Sequence, residues 1–589
     1  MSLQQTLHPA PCAATAAQAA SLQALLNTYL REMAPNSAVL AAARDAVEIP
    51  LSHIPARLRV RITYFSDTGP HRFGPAQIQF DTSSTWHSAP PVQVLTLIAQ
   101  ECFARLNSRD AGQLPEFLRG LFNSNAGVEQ NLRHHADVPD PDSFLAAEQA
   151  LAFGHWLHPT PKSRDGLTDW QQMAYAPEYA GQFRLIFFAA DSSIVTQGSA
   201  HQPAAEMLRQ IPGIEGAFGL NPGEVLIPAH PLQAQMLRLD PEVQALLATG
   251  RLRDLGEAGC PFAATSSLRT LYAPDSPWML KFSVPVRLTN SLRVTKHNEL
   301  ETGVSMARLL HHLDAGSPRF RILNDPAYLT LTLPGQSESG FEVIFRDNPF
   351  MGAAGQGIYN LAALTADPLP GRTALLASLI QRLAAERGGT PADAALLWFE
   401  AYLTCMLDPV LHLYDRHGIA LEAHQQNSLL DLSTGLPSRG YYRDNQGYFI
   451  AEDALPRLSA LEPSLADQPA LVYPRAHINE RMAYYLVINQ IFAVIRRLGC
   501  DGLVPEPALL LQLRRRLTLA ASRLSGAGAG FAQYLLTAPA LSAKANLLTR
   551  ACNVDELETA GQEGLFLQMP NPISAVQPQP VPERADVPA

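Results

Sequence analysis

A long apolar helical pattern ending on a glycine constrains this chain most. From Ala394 to Arg416 the apolar residues recur at helical spacing, and Gly418 follows two residues on. Glycine is the residue that adopts a left-handed helix cap at low cost, so the helix is predicted to stop there. Ile419, Ala420 and Leu421 then read as a short buried extended piece. Glu422, His424, Gln426 and Asn427 crowd four polar groups into the next six residues. The following LLDLSTGLPSRGYYRDNQGYFI reads as a β-hairpin around a Gly/Pro/Ser turn, with Asp444 to Gly447 as a second turn. A buried helix that delivers a polar loop, with a carboxylate returned beside it, is one way to build a metal-nucleotide site. A surface loop between helix and hairpin explains the same residues.

At 589 residues, two to four domains are expected. The chain is 47% apolar and 17% charged, which suffices for sizeable cores. Its formal charge is −10 and it has no basic arm, which excludes nucleic acid as an expected partner. A local Arg/Lys cluster can still bind a small anion. Six cysteines are scattered without a C-x-x-C pair, which excludes the usual zinc and thioredoxin motifs and fits a reducing cytosol. The N-terminus lacks the layout of a signal peptide, and no apolar run reaches the length of a membrane span. A cytoplasmic protein without membrane association is expected.

Along the chain, residues 1–153 read as mainly helical, with strands at Ala56 to Tyr64 and Gln77 to Asp81. Residues 154–371 read as a mixed or antiparallel sheet. Residues 372–568 are again mainly helical, with long helices at Ala476 to Leu498 and Glu506 to Leu524. Residues 569–589, rich in Pro, Gln, Glu and Asp, read as a disordered tail. The expected fold class is α+β.

Three further clusters carry polar chemistry. Gly154, His155, His158, Pro159, Lys162, Arg164 and Gly166 gather two His, one Lys and one Arg among prolines, a composition suited to phosphate oxygens or to a stiff surface linker. TSSLRT, Thr265 to Thr270, reads as a strand on which Ser267 and Arg269 point one way and Leu268 the other. Met279 to Thr289 alternates strictly, with Lys281, Ser283, Arg287 and Thr289 opposite an apolar face. Arg293 follows, close to a helix start, so an anion site is plausible there. Asn427 and Asp444 are hard oxygen ligands of the kind Mg²⁺ takes, in an arrangement like the metal pair of protein kinases. No kinase catalytic motif, Walker A or G-x-S-x-G accompanies them.

In this order, GHWLHPTPKSRDG, TSSLRT, KFSVPVRLTNSLR and EAHQQN with RDNQG resemble the NRPS-independent siderophore synthetases of the IucA/IucC-like family. Trp156 stands where that family usually has Pro. The resemblance implies a cupped-hand fold with a helical thumb, β-sheet-containing fingers and a mainly helical palm, commonly as a homodimer. It implies an ATP-dependent ligase that adenylates a carboxylate, citrate or citrate-derived, and condenses it with an amine or alcohol, releasing AMP and pyrophosphate. His158, Lys162, Arg164, Ser266, Ser267, Arg269, Thr270, Lys281 and Gln426 would bind ATP. Glu422, Asn427 and Asp444 would hold Mg²⁺. Thr289, Arg293 and His424 would bind the acyl substrate, with His424, Arg269 and Arg293 closest to the chemistry. The alternative is a kinase-like phosphotransferase using the same Mg-ATP site.

Overall fold

The computed structural model describes residues 12–33, 39–40, 44–106, 113–288, 291–313, 317–444, 446–554 and 565–576. Helices and strands mix throughout, in line with the α+β expectation.

The N-terminal block holds more sheet than its sequence suggests. Five antiparallel strands run in chain order from Val39–Leu40 to His87–Ala89. In Ala56–Tyr64 every second residue from Ala56 to Ile62 is buried, and the intervening Arg57, Arg59 and Arg61 are exposed, the alternation of a half-buried strand. Helices Ala13–Glu32, Pro91–Arg105 and Gln113–His135 pack with this sheet. The edge strand His87–Ala89, paired with Arg72–Phe80, is too short to show a period.

The middle block is an eight-stranded sheet, antiparallel at every pairing. Its order is Val195–Ser199, Ala327–Leu331, Val343–Asp347, Trp278–Phe282, Thr270–Tyr272, Leu252–Ala264, Gln182–Asp191 and Glu224–Ala229. Two expectations fail here. Thr265 to Arg269 is not strand but the tight loop of a hairpin, because Ala264 pairs with Leu271 and Thr265 closes onto Thr270 through its backbone. The run Met279 to Thr289 is not one strand: pairing stops at Phe282 and restarts at Arg287–Leu288 in a separate small sheet. Its apolar alternation still reports burial, since Leu280, Phe282, Val284 and Val286 are all buried.

The C-terminal half is built on the helix Pro391–His417. Thr390 caps its start by accepting from Asp393 N (3.1 Å), and Pro391 occupies the first turn. Gly418 ends it in the left-handed region at φ 71°. Trp398, Tyr402, Met406, Val410 and Tyr414 are fully buried in the largest apolar core. By length and composition this helix could cross a membrane, contrary to the expectation that no segment reaches that length, but 67% of its apolar window is buried inside the protein. The helix read from Ala476 to Leu498 contains a wide-turned π segment, Ala483–Ile491, between α-helical ends Arg475–Met482 and Phe492–Cys500. The expected tail begins too early. Residues 569 and 570 complete the strand Phe566–Pro570 against Ala540–Lys544, and Ile573 is fully buried. Residues 577–589 lie outside the described residues.

Candidate functional site

Two neighbouring strands and one loop create the site. Thr270 pairs with Lys281 across adjacent strands, which sets the TSSLRT loop beside the basic strand. Opposite them, Ile419–Leu421 pairs with Tyr448–Ala451, and Ser428–Asp431 pairs with Arg439–Arg443. Glu422 to Asn427 therefore crosses from one small sheet to another, and Asp444 to Gly447 crosses back. A side chain at Gly447 would meet Glu422 Cβ at 2.8 Å and Asp444 Oδ2 at 3.1 Å, so both residues flank that glycine.

Between these walls lies a cavity of about 440 Å³, within the range of small-molecule sites. It is lined by Ser266, Ser267, Arg269, Thr270 and Lys281 on the sheet side, and by Glu422, His424, Gln426, Asn427 and Asp444 on the loop side. Arg293 also lines it. Asn427 Nδ2 donates to Asp444 Oδ2 (3.1 Å), and Lys281 Nζ lies 3.9 Å from Asp444 Oδ1. Arg269 Nη1 donates to Thr295 Oγ1 (3.2 Å) and Arg293 O (3.4 Å), which holds its guanidinium against the cavity wall. The loop is braced from behind by the π segment. Its consecutive residues Asn489 and Gln490 bond Gln425 N (3.2 Å) and Ser428 Oγ (3.0 Å). Such π segments are frequent at functional sites.

The electrostatics suit an anion. Burial, with Arg269 beside it, pushes the Lys281 amine down to about 8. Burial likewise lowers the Arg269 guanidinium. Both carry an energetic cost that a bound anion would relieve. Burial alone would raise Asp444, but Lys281, Arg346 and His424 together hold it below its ordinary value. Burial drives His424 down to about 4, so it is neutral near pH 7.

The hard oxygens of Asp444 and Glu422 fit a magnesium ion. A half-turn of the Asn427 amide would add Oδ1 beside Asp444. Among the described residues no three His, Cys, Asp or Glu cluster as a metal site.

Part of the Gly154–Gly166 cluster lines the neighbouring cavity. Lys162 and Arg164 both bond the buried Glu178 carboxylate, Arg164 at 2.7 Å and 2.8 Å. They line an adjoining cavity of about 290 Å³ that shares Ser266, Leu288, Arg293 and Gln426 with the main one. His158 is buried, and its Nδ1 accepts from Thr160 N (3.1 Å). These three predicted ATP ligands are therefore absent from the lining of the main cavity. Thr289 lies outside the described residues. Conversely, sequence reasoning missed Arg346, Arg443, Tyr448, Tyr473, Arg481, Tyr485, Lys544 and Phe566, all in the cavity wall. Only Arg443, adjacent to Asp444 in the motif, carried a signal.

A family model described as the IucA / IucC family matches residues 143–366, and one described as Ferric iron reductase FhuF-like transporter matches 396–559. The chain is 34% identical to a spermidine-citrate ligase of Bacillus anthracis, covering 95% of this chain and 98% of that protein. It is 38% identical to the rhizobactin siderophore biosynthesis protein RhbC of Rhizobium meliloti, covering 87% and 89%. Its fold matches the solved structure of ATP-bound aerobactin synthetase IucA from Klebsiella pneumoniae with a TM-score of 0.86 at 28% identity, over 94% of this chain and 99% of that one. On these matches, the chain belongs to the IucA/IucC family of siderophore synthetases.

Proposed function

We propose that this protein is an ATP-dependent ligase that adenylates a carboxyl group of citrate, or of a citrate derivative, and transfers the acyl group to an amine or alcohol. The observation that carries the reading is the single cavity in which Arg269 and Lys281 face Asn427 and Asp444. Two similarities support it: the Bacillus anthracis relative is a spermidine-citrate ligase, and the matching aerobactin synthetase was solved bound to ATP.

In this reading Arg269, Lys281, Ser267 and Thr270 offset the triphosphate charge by charge-assisted hydrogen bonds. Glu422, Asn427 and Asp444 would hold Mg²⁺, which would supply positive charge to offset the charge on the departing pyrophosphate. Arg293 and the neutral His424 orient the polycarboxylate so that one carboxylate oxygen attacks the α-phosphorus. The bond from that phosphorus to the pyrophosphate oxygen breaks. The nucleophile then attacks the acyl carbon, and the bond to AMP breaks. The kinase-like alternative gains no support, because the relatives are named as ligases and synthases.

Incubation with ATP, Mg²⁺, citrate and a panel of amines tests the reading. AMP and pyrophosphate are expected in equal amounts, dependent on citrate and abolished by chelation of the metal. ADP as the sole nucleotide product overturns it.

A further inference from the structure

We infer that Glu148 and Arg443 form a buried positioning pair that locks the Ser266 turn to the Gln426 loop and so sets the width of the cavity between them. Glu148 lies outside every motif read from the sequence, on the short helix Phe144–Gln149, and is wholly buried. Its carboxylate accepts from Ser266 N (2.9 Å), from Asn360 Nδ2 (2.9 Å) and from Arg443 Nη2 (2.9 Å and 2.8 Å). Arg443 Nη2 also reaches Ser266 Oγ (3.2 Å) and Gln426 O (2.9 Å). The Arg443 backbone N–H donates to Asn427 O (3.0 Å). One carboxylate thus fixes both walls of the cavity.

A second route runs through Asn360. Its Oδ1 accepts from Ala363 N (2.6 Å) and caps the helix Leu361–Thr365, whose last residue donates from Oγ1 to Gln425 Oε1 (2.7 Å). Glu148 is therefore linked to Gln425 through Asn360 and its helix and to Gln426 through Arg443.

Stability alone would not favour this arrangement. Desolvating a buried ion pair offsets most of its attraction, and apolar replacement of both partners is often neutral. Here Arg443 Nη1 is in addition buried without a hydrogen-bond partner among the described residues, which is a further cost. What the pair supplies is geometry. A displacement of about 1 Å between groups that hold reactants can cost about 10²-fold in rate.

The inference rests on the ligase reading, and the experiment separates the two. The double variant Glu148→Leu/Arg443→Met and the single variant Glu148→Gln are compared with wild type for melting temperature, for ATP KM and for kcat of pyrophosphate release. The double variant is expected to melt within a few degrees of wild type. Its kcat should fall about 10²-fold and its ATP KM should rise about tenfold, on the misplacement scale above. Glu148→Gln should show a smaller loss of the same kind, and decides the matter if the double variant does not fold. Wild-type kcat and ATP KM in either folded variant would overturn the pair's role. A wild type that forms ADP and no AMP would overturn the ligase reading alone, and the effect of the variants on ATP KM would still judge the pair.

Discussion

Replacing Gly418 by Ala tests whether the end of the central helix positions the polar loop. Among the described residues two helices end on a left-handed glycine, Gly418 at φ 71° and Gly388 at φ 68°. Both substitutions place a side chain in the left-handed region, at about 1–2 kcal/mol. Their surroundings differ. A Cβ at Gly388 meets nothing within 4 Å, whereas a Cβ at Gly418 lies 2.6 Å from Ala454 Cβ and 3.4 Å from Ala451 Cβ. Both contacts are to buried alanine side chains, and overpacking of that kind adds about 1–3 kcal/mol. Gly418→Ala should therefore lose about 1–3 kcal/mol more than Gly388→Ala. The strain passes along Ile419–Leu421 into Glu422 to Asn427, so pyrophosphate release should fall about ten- to a hundredfold in Gly418→Ala and stay unchanged in Gly388→Ala. Thermal unfolding and pyrophosphate release measured on both variants decide it. Equal destabilisation by the two, or full activity in Gly418→Ala, refutes the reasoning.

Further outcomes follow from the site and from one buried histidine. Arg269→Ala and Asp444→Ala should each abolish adenylation, by about 10²-fold or more, with circular dichroism unchanged; near-normal pyrophosphate release by either would break the proposed site. His230 is fully buried, caps the helix Pro231–Leu237 through Nδ1 (3.0 Å from Leu232 N), and is pushed down to about 3 by burial. Between pH 6.5 and about 3 the unfolded chain binds a proton here that the folded chain does not, so His230 contributes a loss of stability as pH falls through that window, about 1.4 kcal/mol per unit. His230→Asn can keep the cap and removes that dependence. A wild-type slope in the variant, measured as apparent melting temperature between pH 7 and 5, would contradict this.

The legible parts of the chain were those with strong local signals. The helix Pro391–His417, its Gly418 stop and the buried Ile419–Leu421 were all readable from periodicity and cap chemistry. So were the hairpin of Ser428–Asp431 with Arg439–Arg443 and the strand Ala56–Tyr64. Short strands such as His87–Ala89 were not, since three residues show no period. TSSLRT was misread as strand because alternation cannot tell a pleat from a hairpin loop whose register is set by its flanks, here Ala263 with Tyr272.

By itself the sequence determined which residue types could do the chemistry and the order in which they occur. Ser267, Arg269, Lys281, Arg293, Glu422, His424, Asn427 and Asp444 all reach one cavity. Only the tertiary structure decided which cations face it. In sequence, Lys162 and Arg164 look as suited to phosphate as Arg269 and Lys281; in the structure they bond Glu178 and line the adjoining cavity, while Arg269 and Lys281 line the main one. Arg346, Arg443, Arg481 and Lys544 enter the wall from separate parts of the chain. The physical reason is that a charge is satisfied through space at about 3 Å, and its partner can lie 14 residues away, as Glu178 does from Arg164, or 295, as Glu148 does from Arg443.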